Sequence, residues 1–274
     1  MPIPLRQKAA VIDPSGYRGI FGPQLRIDTD YGVPLLEQGQ LLIKNNLCGV
    51  NITDILYRFG AYSSSEKILG HEAAGTVAAL GPGTTKSGFG VGDRVIWVYA
   101  RGYAEYSAVP IENVVKLPKH ISDQDAIGGL LSGLTALTLT KEAYVVKKGE
   151  WVLVHAAERN IGLLMVQIMK AAGAKVIGTV GYPERISLLK SLGVEAVFNY
   201  RETTEGSLVE KVNEITEGSW VRKVNEITKG DGVSVVYDFA GKETWNGSLE
   251  AVKTNGTIVW CGSASGKVPP LPLE

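Results

Sequence analysis

The chain has 274 residues, of which 45% are hydrophobic and 20% are charged, a composition typical of a globular protein with one large or two medium domains. Its 28 basic and 28 acidic residues balance, which argues against a protein that binds nucleic acid or anionic membranes. The apolar stretches are too short for a transmembrane helix, and the N-terminal segment lacks the apolar core of a signal peptide. The two cysteines, Cys48 and Cys261, cannot build a disulfide framework and indicate a cytoplasmic protein with reduced thiols.

Residues 1–125 are predicted to form a small, mostly β domain. Apolar or alternating runs of strand length are punctuated by Gly, Pro and Asp, which is typical of strands joined by irregular loops. These runs are KAAVID (8–13), QLLIKNNLCGV (40–50), AAGTVAALG (73–81), DRVIWVY (93–99) and YAEYSAVP (103–110).

Residues 126–274 change to a regular alternation of strands and helices. Apolar strands that alternate with helices predict an α/β fold with a doubly wound parallel sheet of the Rossmann type. After a helical stretch at 127–144, the predicted strands are EWVLVHA (150–156), AKVIGTV (174–180), EAVFNY (195–200), VSVVYDFAG (233–241) and GTIVWCG (256–262). The predicted helices between these strands are 161–172, 183–192, 207–228 and 242–253.

A tandem duplication occupies the third of these helical regions. EGSLVEKVNEIT (205–216) is followed at once by EGSWVRKVNEIT (217–228), and ten of the twelve positions are identical. Twelve residues at about 3.6 per turn rotate the apolar face by roughly 120°, so one continuous helix could not bury both copies. We therefore expect one copy to cover the sheet and the other to lie outside it.

The stretch HAAERNIGL (155–163) is the predicted turn between the first strand and first helix of the sheet. In dinucleotide-binding proteins this turn carries glycines that let the backbone approach a pyrophosphate at the helix N-terminus. Gly162 remains here and permits close packing of helix and strand, whereas Glu158, Arg159 and Asn160 fill the turn. Arg159 adds a side chain where the ligand must approach, and Glu158 adds a negative charge.

The next strand of the sheet ends in Thr179, Val180 and Gly181, without an acidic residue. A site that prefers NAD places Asp or Glu there to bind the ribose hydroxyls. The absence of an acid, together with Arg185 just beyond, favours a 2′-phosphate and hence NADP. The alternative is that Arg185 is a solvated residue at a helix start.

The chain resembles the quinone oxidoreductase branch of the medium-chain dehydrogenase/reductase superfamily, also called zeta-crystallin-like, and is most similar to its fungal members. The resemblance covers essentially the whole chain and rests on a set of motifs in family order. These are GVNITDILYRFGAY (49–62), LGHEAAGTV (69–77), VGDRVIW (91–97), SGLTAL (132–137), VKKGEWVLVHAA (146–157), GAKVIGTVG (173–181), NYRE (199–202), VVYDFAGKETW (235–245) and GSASGKVPP (262–270). It implies a GroES-like catalytic domain over residues 1–125, a Rossmann NADP-binding domain over 126–274, and zinc-independent hydride transfer from NADPH to a quinone or enone.

The resemblance also implies the site residues. Asn51 and Tyr62 match positions of the substrate cleft, and Asn51 also matches a cofactor-lining position. The remaining matches to cofactor-binding positions are Thr135, Gly162, Thr179, Arg185, Tyr200, Gly262 and Ser263. NADPH affinity is expected to be reduced by the three residues that fill the turn at 158–160.

The segment GHE (70–72) is similar to a zinc-ligand segment of alcohol dehydrogenases in this superfamily. The position of their cysteine ligand is Asn51 here, and a third ligand position falls near Leu131. A catalytic zinc site needs three protein ligands, so His71 is interpreted as a structural or cleft-wall residue and no metal is expected. The other two histidines show no partner in the sequence and are interpreted as structural: His120 and His155.

Three departures from the family leave the function open. The turn at 158–160 has lost its glycines, Phe239 replaces a small residue beside the cofactor, and the chain ends before a segment that family members use for cofactor and dimer contacts. The sequence is therefore interpreted as C-terminally truncated, and formation of the family's homodimer is left open. The alternatives to an NADPH-dependent quinone reductase are a catalytically silent relative with impaired cofactor binding and an RNA-binding role. The neutral charge argues against the last of these.

Overall fold

The structure is a computed structural model that describes residues 2–13, 25–59, 67–199 and 219–270. The chain divides into two compact units, Met1–Leu131 and Ser132–Glu274. The division falls within helix α2 (Asp123–Thr138), which continues into one π-helical turn at Leu139–Ala143. The predicted domain boundary at residues 125 and 126 falls in the same helix and stays a prediction.

The first unit is built from antiparallel strands. Strands β1 (Arg6–Ile12) and β2 (Leu25–Gly32) form a two-stranded ribbon. A five-stranded sheet has the order β6-β3-β4-β5-β7. Its strands are β3 (Gln40–Cys48), β4 (Glu72–Leu80), β5 (Arg94–Val98), β6 (Tyr106–Pro110) and β7 (Val114–Lys116). Their inward side chains form an apolar core that includes Leu41, Ile43, Val77, Val95, Trp97 and Val109.

Three elements of this unit were not expected from the sequence: strand β2, the helix Ile52–Arg58 and the three-residue strand β7. Strand β2 has the sequence LRIDTDYG, which is polar and stays mostly exposed because it pairs on the outside of β1. Helix α1 (Ile52–Arg58) has only seven residues, and a capping box between Asn51 and Asp54 starts it. Helix α1 and strand β7 are too short for periodicity to mark them, and the alternation of Leu25, Ile27 and Tyr31 with charged residues in β2 was not recognised.

The second unit contains five parallel strands in the order β10-β9-β8-β11-β12. The chain leaves β8 towards β9 and β10 on one side and then returns to build β11 and β12 on the other. This order confirms the predicted doubly wound sheet, whose ligand crevice lies where the winding direction reverses. The strands are β8 (Trp151–Val154), β9 (Lys175–Val180), β10 (Ala196–Asn199), β11 (Val233–Asp238) and β12 (Val252–Trp260).

Four helices of the second unit are described in addition to the end of α2. They are α3 (Asn160–Ala171), α4 (Ile186–Ser191), α5 (Ser219–Ile227) and α6 (Trp245–Ala251). A short 3-10 turn, Pro183–Arg185, precedes α4. The helix predicted at 242–253 is shorter than expected because strand β12 already begins at Val252. No helix among the described residues is long and apolar enough to cross a membrane.

The two faces of the parallel sheet carry different helices. Val152 and Val154 of β8 face a core that contains Met165 and Met169 of α3. Leu153, the residue between them, faces the opposite core, which includes Trp220, Val221 and Val224 of α5. The second copy of the duplicated sequence therefore covers the sheet. The first copy, at 205–216, lies outside the described residues.

We predict that the two copies of the duplication differ in their contribution to stability. Val224 is fully buried under the sheet, so Val224→Ala should lower the free energy of unfolding by about 2 kcal/mol through lost burial and a residual cavity. Val212→Ala, the same change in the first copy, should leave stability unchanged. Urea denaturation of both variants measures this, and equal losses would show that both copies contribute to the core.

Candidate functional site

The turn between β8 and α3 is compact because Gly162 lies against its backbone. A Cβ at Gly162 would lie 2.7 Å from Ala157 Cα and 2.8 Å from Ala156 O, so no other residue fits without displacing the turn. The Ala157 N–H donates to Thr179 O of β9 over 3.0 Å, and the Arg159 N–H donates to Ala156 O over 3.1 Å. With Gly162 as its one glycine, the turn has the tight strand-to-helix geometry of a dinucleotide-binding unit.

The side chains of this turn point in different directions. Arg159 is exposed and precedes the first residue of α3. Glu158 is half-buried, and its Oε1 accepts a hydrogen bond from the Gly181 N–H over 2.8 Å. Its Oε2 is buried and has no hydrogen-bond partner among the described residues. The residue that reaches the neighbouring strand end is therefore Glu158, rather than Arg159, which the sequence suggested as the main obstacle.

Two predicted site residues lie at or just beyond the end of β9: Thr179 is in the core and Arg185 is at the surface. The Thr179 side chain is fully buried, and its hydroxyl pairs with the His155 ring over 2.8 Å. Arg185 is exposed at the start of α4. The cofactor-binding role of both residues stays a prediction. What the structure shows for Thr179 is a buried side chain that pairs with His155.

Gly262 and Ser263 follow β12 and lie beside the turn that follows β11. A Cβ at Gly262 would lie 2.6 Å from Phe239 O. The Ser265 N–H donates to Ala240 O over 2.8 Å, while the half-buried Phe239 side chain packs against the α3 core. These loops, like the β8–α3 turn, follow the carboxyl ends of the parallel strands, where doubly wound sheets bind ligands.

Three further predicted residues have more limited descriptions. Thr135 is half-buried in α2, and its cofactor-binding role stays a prediction. Tyr62 and Tyr200 lie outside the described residues.

A buried hydrogen-bond network centred on His155 joins the strands beneath this edge. His155 follows β8, and its Nε2 lies 3.1 Å from Ser248 Oγ of α6. The Ser248 hydroxyl donates to Asp238 Oδ2 of β11 over 2.8 Å, and Thr244 Oγ1 donates to Asp238 Oδ1 over 2.8 Å. With Thr179, the network connects the ends of three neighbouring strands and one helix. It corrects the sequence-based view of His155 as a residue without a partner.

Burial keeps His155 neutral. Complete burial lowers the pKa of His155 from 6.5 to about 4, against a smaller opposing effect of the Asp238 carboxylate. Because Ser248 donates to Asp238, the His155 Nε2–H donates to Ser248, and Nδ1 accepts from Thr179. A neutral imidazole with both nitrogens paired and no exposed surface holds the strand ends together and cannot exchange protons with a substrate.

A second polar cluster, in the first unit, surrounds the buried carboxylate of Asp54. It accepts hydrogen bonds from the Gly70 N–H over 3.1 Å, the Asn51 N–H over 2.9 Å and the Tyr103 O–H over 2.8 Å. Asp54 Oδ1 also lies 2.5 Å from His71 Nδ1. Neither Asp54 nor Tyr103 was recognised from the sequence, although the spacing of Asn51 and Asp54 is that of a helix-capping pair.

The cluster orients His71 and Asn51. The His71 ring is stacked on Tyr57 with 4.8 Å between ring centroids, so His71 is fixed both by a carboxylate and by an aromatic ring. Asn51 Nδ2 donates to Glu72 Oε1 over 2.9 Å, and burial raises the pKa of Glu72. The predicted cleft residue Asn51 is therefore held by β4, and its role towards substrate or cofactor stays a prediction.

The described residues contain no group of three or more His, Cys, Asp or Glu side chains placed to hold a metal ion. Cys48 lies near the Asp54 cluster, but its thiol donates to Gly102 O, and burial raises its pKa to about 11.

In the second unit, the residues around the start of α3 fit the pyrophosphate of a dinucleotide. Gly162 leaves room for the tight turn, and the first turn of α3 offers backbone N–H groups and the positive end of the helix dipole. These features of the described residues can hold a phosphate group, whereas Glu158 brings a negative charge to the same edge.

Comparison with known proteins agrees with this architecture. Residues 37–119 match the family described as "Alcohol dehydrogenase GroES-like domain", and residues 160–274 match "Zinc-binding dehydrogenase". The chain is 36% identical over 244 residues to the probable quinone oxidoreductase of Schizosaccharomyces pombe. The aligned residues cover 88% of this chain and 69% of that protein. It is 33% identical over 272 residues to the 2-haloacrylate reductase of Burkholderia sp, and these residues cover 96% of this chain and 75% of that protein.

A solved structure gives the same result. The crystal structure of Escherichia coli quinone oxidoreductase complexed with NADPH has a TM-score of 0.81 and 30% identity, over 98% of this chain and 76% of that one. A GroES-like unit followed by a nucleotide-binding sheet defines a dehydrogenase or reductase of the medium-chain type. Within that class, the chain belongs to the quinone oxidoreductase branch of the medium-chain dehydrogenase/reductase superfamily.

We predict that His155 makes folding stability dependent on pH. The folded protein keeps His155 neutral down to pH about 4, whereas the unfolded chain takes up a proton near pH 6.5. Stability should therefore fall as the pH decreases from 6.5 towards 4, by up to about 1.4 kcal/mol per pH unit from this group. Urea midpoints across this range measure the dependence.

The matched variants for this test are His155→Gln and His120→Gln. The first removes the titrating group from the core and should flatten the pH dependence, even if it lowers stability overall. The second removes an exposed histidine and should keep the slope of the unaltered protein. A steep slope retained in His155→Gln would assign the acid sensitivity to other groups.

Proposed function

We propose that the protein is a zinc-independent reductase that transfers a hydride from NADPH to a quinone or an enone. The observation that carries the proposal is the β8–α3 turn, where Gly162 packs the helix closely on the sheet at the place where a dinucleotide binds. The relatives support the substrate class, since they are named as reductases of quinones and of 2-haloacrylate.

The dinucleotide, when bound, supplies the hydride, so the protein is required mainly to bind and orient. The first turn of α3 would hold the pyrophosphate, and the loops after β11 and β12 would border the cofactor through Gly262 and Ser263. Arg185, which is exposed just before α4, would contact the 2′-phosphate. Water supplies the proton that completes reduction of the quinone oxygen.

The absence of a metal requirement is proposed from the residues at the zinc-ligand positions. Asn51 occupies the cysteine position and is already paired with Glu72. His71 is bonded through Nδ1 to Asp54, and one imidazole alone does not make a catalytic zinc site.

The test is oxidation of NADPH by 1,4-benzoquinone, followed spectrophotometrically on the purified protein with and without a zinc chelator. We expect quinone-dependent oxidation of NADPH that the chelator leaves unchanged. Loss of activity with the chelator, restored by zinc, would refute the zinc-independent mechanism. A protein that binds NADPH but reduces neither 1,4-benzoquinone nor 2-chloroacrylate would refute the substrate class.

We further predict that the β8–α3 turn weakens NADPH binding. Replacing its side chains by Glu158→Ala, Arg159→Gly and Asn160→Gly removes a negative charge and opens the backbone to the pyrophosphate. One regained N–H contact to a charged group is worth about 1.5–3 kcal/mol, so the triple variant should bind NADPH roughly tenfold more tightly or better. Fluorescence titration of both proteins measures this, with melting curves to confirm folding. Equal affinities would show that the turn does not limit binding.

A further inference from the structure

His71, in the first unit, has one ring nitrogen that is fixed and one that is free. Its Nδ1 lies 2.5 Å from Asp54 Oδ1, whereas its Nε2 has no hydrogen-bond partner among the described residues. The His71 side chain is 23% exposed, while that of Asp54 is only 4% exposed. A ligand can therefore reach the imidazole but not the carboxylate behind it.

The Asp54 carboxylate determines which nitrogen of His71 carries a proton. It accepts hydrogen bonds from the Gly70 N–H, the Asn51 N–H and the Tyr103 O–H. A carboxylate surrounded by donors is itself only an acceptor, so Nδ1 of His71 donates to it and keeps its proton. Nε2 is then the nitrogen that takes up and releases a proton, as in imidazoles that an acid orients for general acid–base chemistry.

The ring and the backbone of His71 are both held in place. The ring is stacked on Tyr57, and the His71 carbonyl oxygen accepts a hydrogen bond from the Tyr99 N–H over 2.9 Å. The neighbouring acid, Glu72, is paired with Asn51 instead, and burial raises its pKa. An imidazole that is fixed in this way needs little rearrangement before it donates to a bound molecule.

The predicted cleft residue Asn51 is bonded to the same carboxylate. The Asn51 N–H donates to Asp54 Oδ2, while His71 pairs with Oδ1, so a molecule bound against Asn51 is close to His71. A quinone is uncharged, but its oxygen becomes basic as the ring gains electrons. A proton donor beside that oxygen lowers the barrier by neutralising the charge that develops.

We propose that His71 passes to the substrate the proton that completes its reduction. The proposal rests on the reductase function proposed above and names the path of its proton. The hydride brings two electrons and one proton to the quinone, which becomes a hydroquinone anion. The His71 imidazolium gives its Nε2 proton to the anionic oxygen, and the hydroquinone forms. The neutral ring keeps its Nδ1 hydrogen bond to Asp54, and solvent water returns a proton to Nε2. Water thus remains the source of the proton, and His71 is the relay.

The test measures kcat and KM for 1,4-benzoquinone with NADPH on the full chain, together with the dissociation constant of NADPH. His71→Gln keeps a side-chain N–H for Asp54 but cannot release a proton. His71→Ala leaves a space that free imidazole, added to the assay, can occupy. His120→Gln removes an exposed histidine and is the matched control. Melting curves of all four proteins report whether they are folded.

We expect His71→Gln to lower kcat by about 100-fold, the lower end of the effect of general acid catalysis. Its KM and its affinity for NADPH should stay within about threefold of the unaltered protein. Free imidazole should raise kcat of His71→Ala by about tenfold or more, in a saturable way, and should not change kcat of His71→Gln. His120→Gln should match the unaltered protein.

Three outcomes would overturn the inference. A kcat that His71→Gln lowers no more than His120→Gln would refute the relay while leaving the proposed reductase function intact. A loss of kcat that free imidazole does not restore in His71→Ala would assign His71 a structural role. An unaltered protein that does not oxidise NADPH in the presence of the quinone would refute both the relay and the proposed function.

Discussion

The close approach of α3 to the turn after β8 is the constraint on which the second unit depends. With 2.7 Å between Ala157 Cα and the position of a Cβ on Gly162, the helix can lie on the sheet only if residue 162 has no side chain. That contact sets the direction of α3, and it thereby places Arg159 in solvent and Glu158 towards β9. Gly162 thus fixes the course of the turn, and the residues at 158–160 set its chemistry.

The buried network beneath the same edge explains how the strand ends stay in register with one another. His155, Asp238 and Ser248 come from β8, β11 and α6, and each satisfies the hydrogen-bonding groups of the next. Buried polar groups that are fully paired rigidify a core, whereas the loss of any one member leaves another unpaired. The loops that border the candidate cofactor site therefore rest on a base that is internally satisfied, and their substitutions act locally.

The general architecture was predictable from the sequence because it is encoded in local patterns. Apolar strands alternating with helices gave the parallel sheet, and Gly162 marked the tight turn. The Glu158–Gly181 bond joins two loops, and the Asp54–His71 contact joins α1 to the segment before β4, so neither leaves a trace in local periodicity. Strand β2 was missed although Leu25, Ile27 and Tyr31 alternate with charged residues, because the strand is mostly exposed and has no continuous apolar run.

The duplicated segment gives the chain two nearly identical sequences for one place on the sheet. Trp220 lies at one of the two positions where they differ: its ring and that of His155 are in a T-shaped arrangement with 4.9 Å between centroids, and a Cβ at Gly247 would lie 2.4 Å from its ring. Leu208, the counterpart in the first copy, has a smaller side chain that would leave this space unfilled. During folding the copies can compete for the same docking surface, so transient register isomers are an expected source of frustration. Trp220 fills this space, so its indole ring favours the second copy at this place on the sheet.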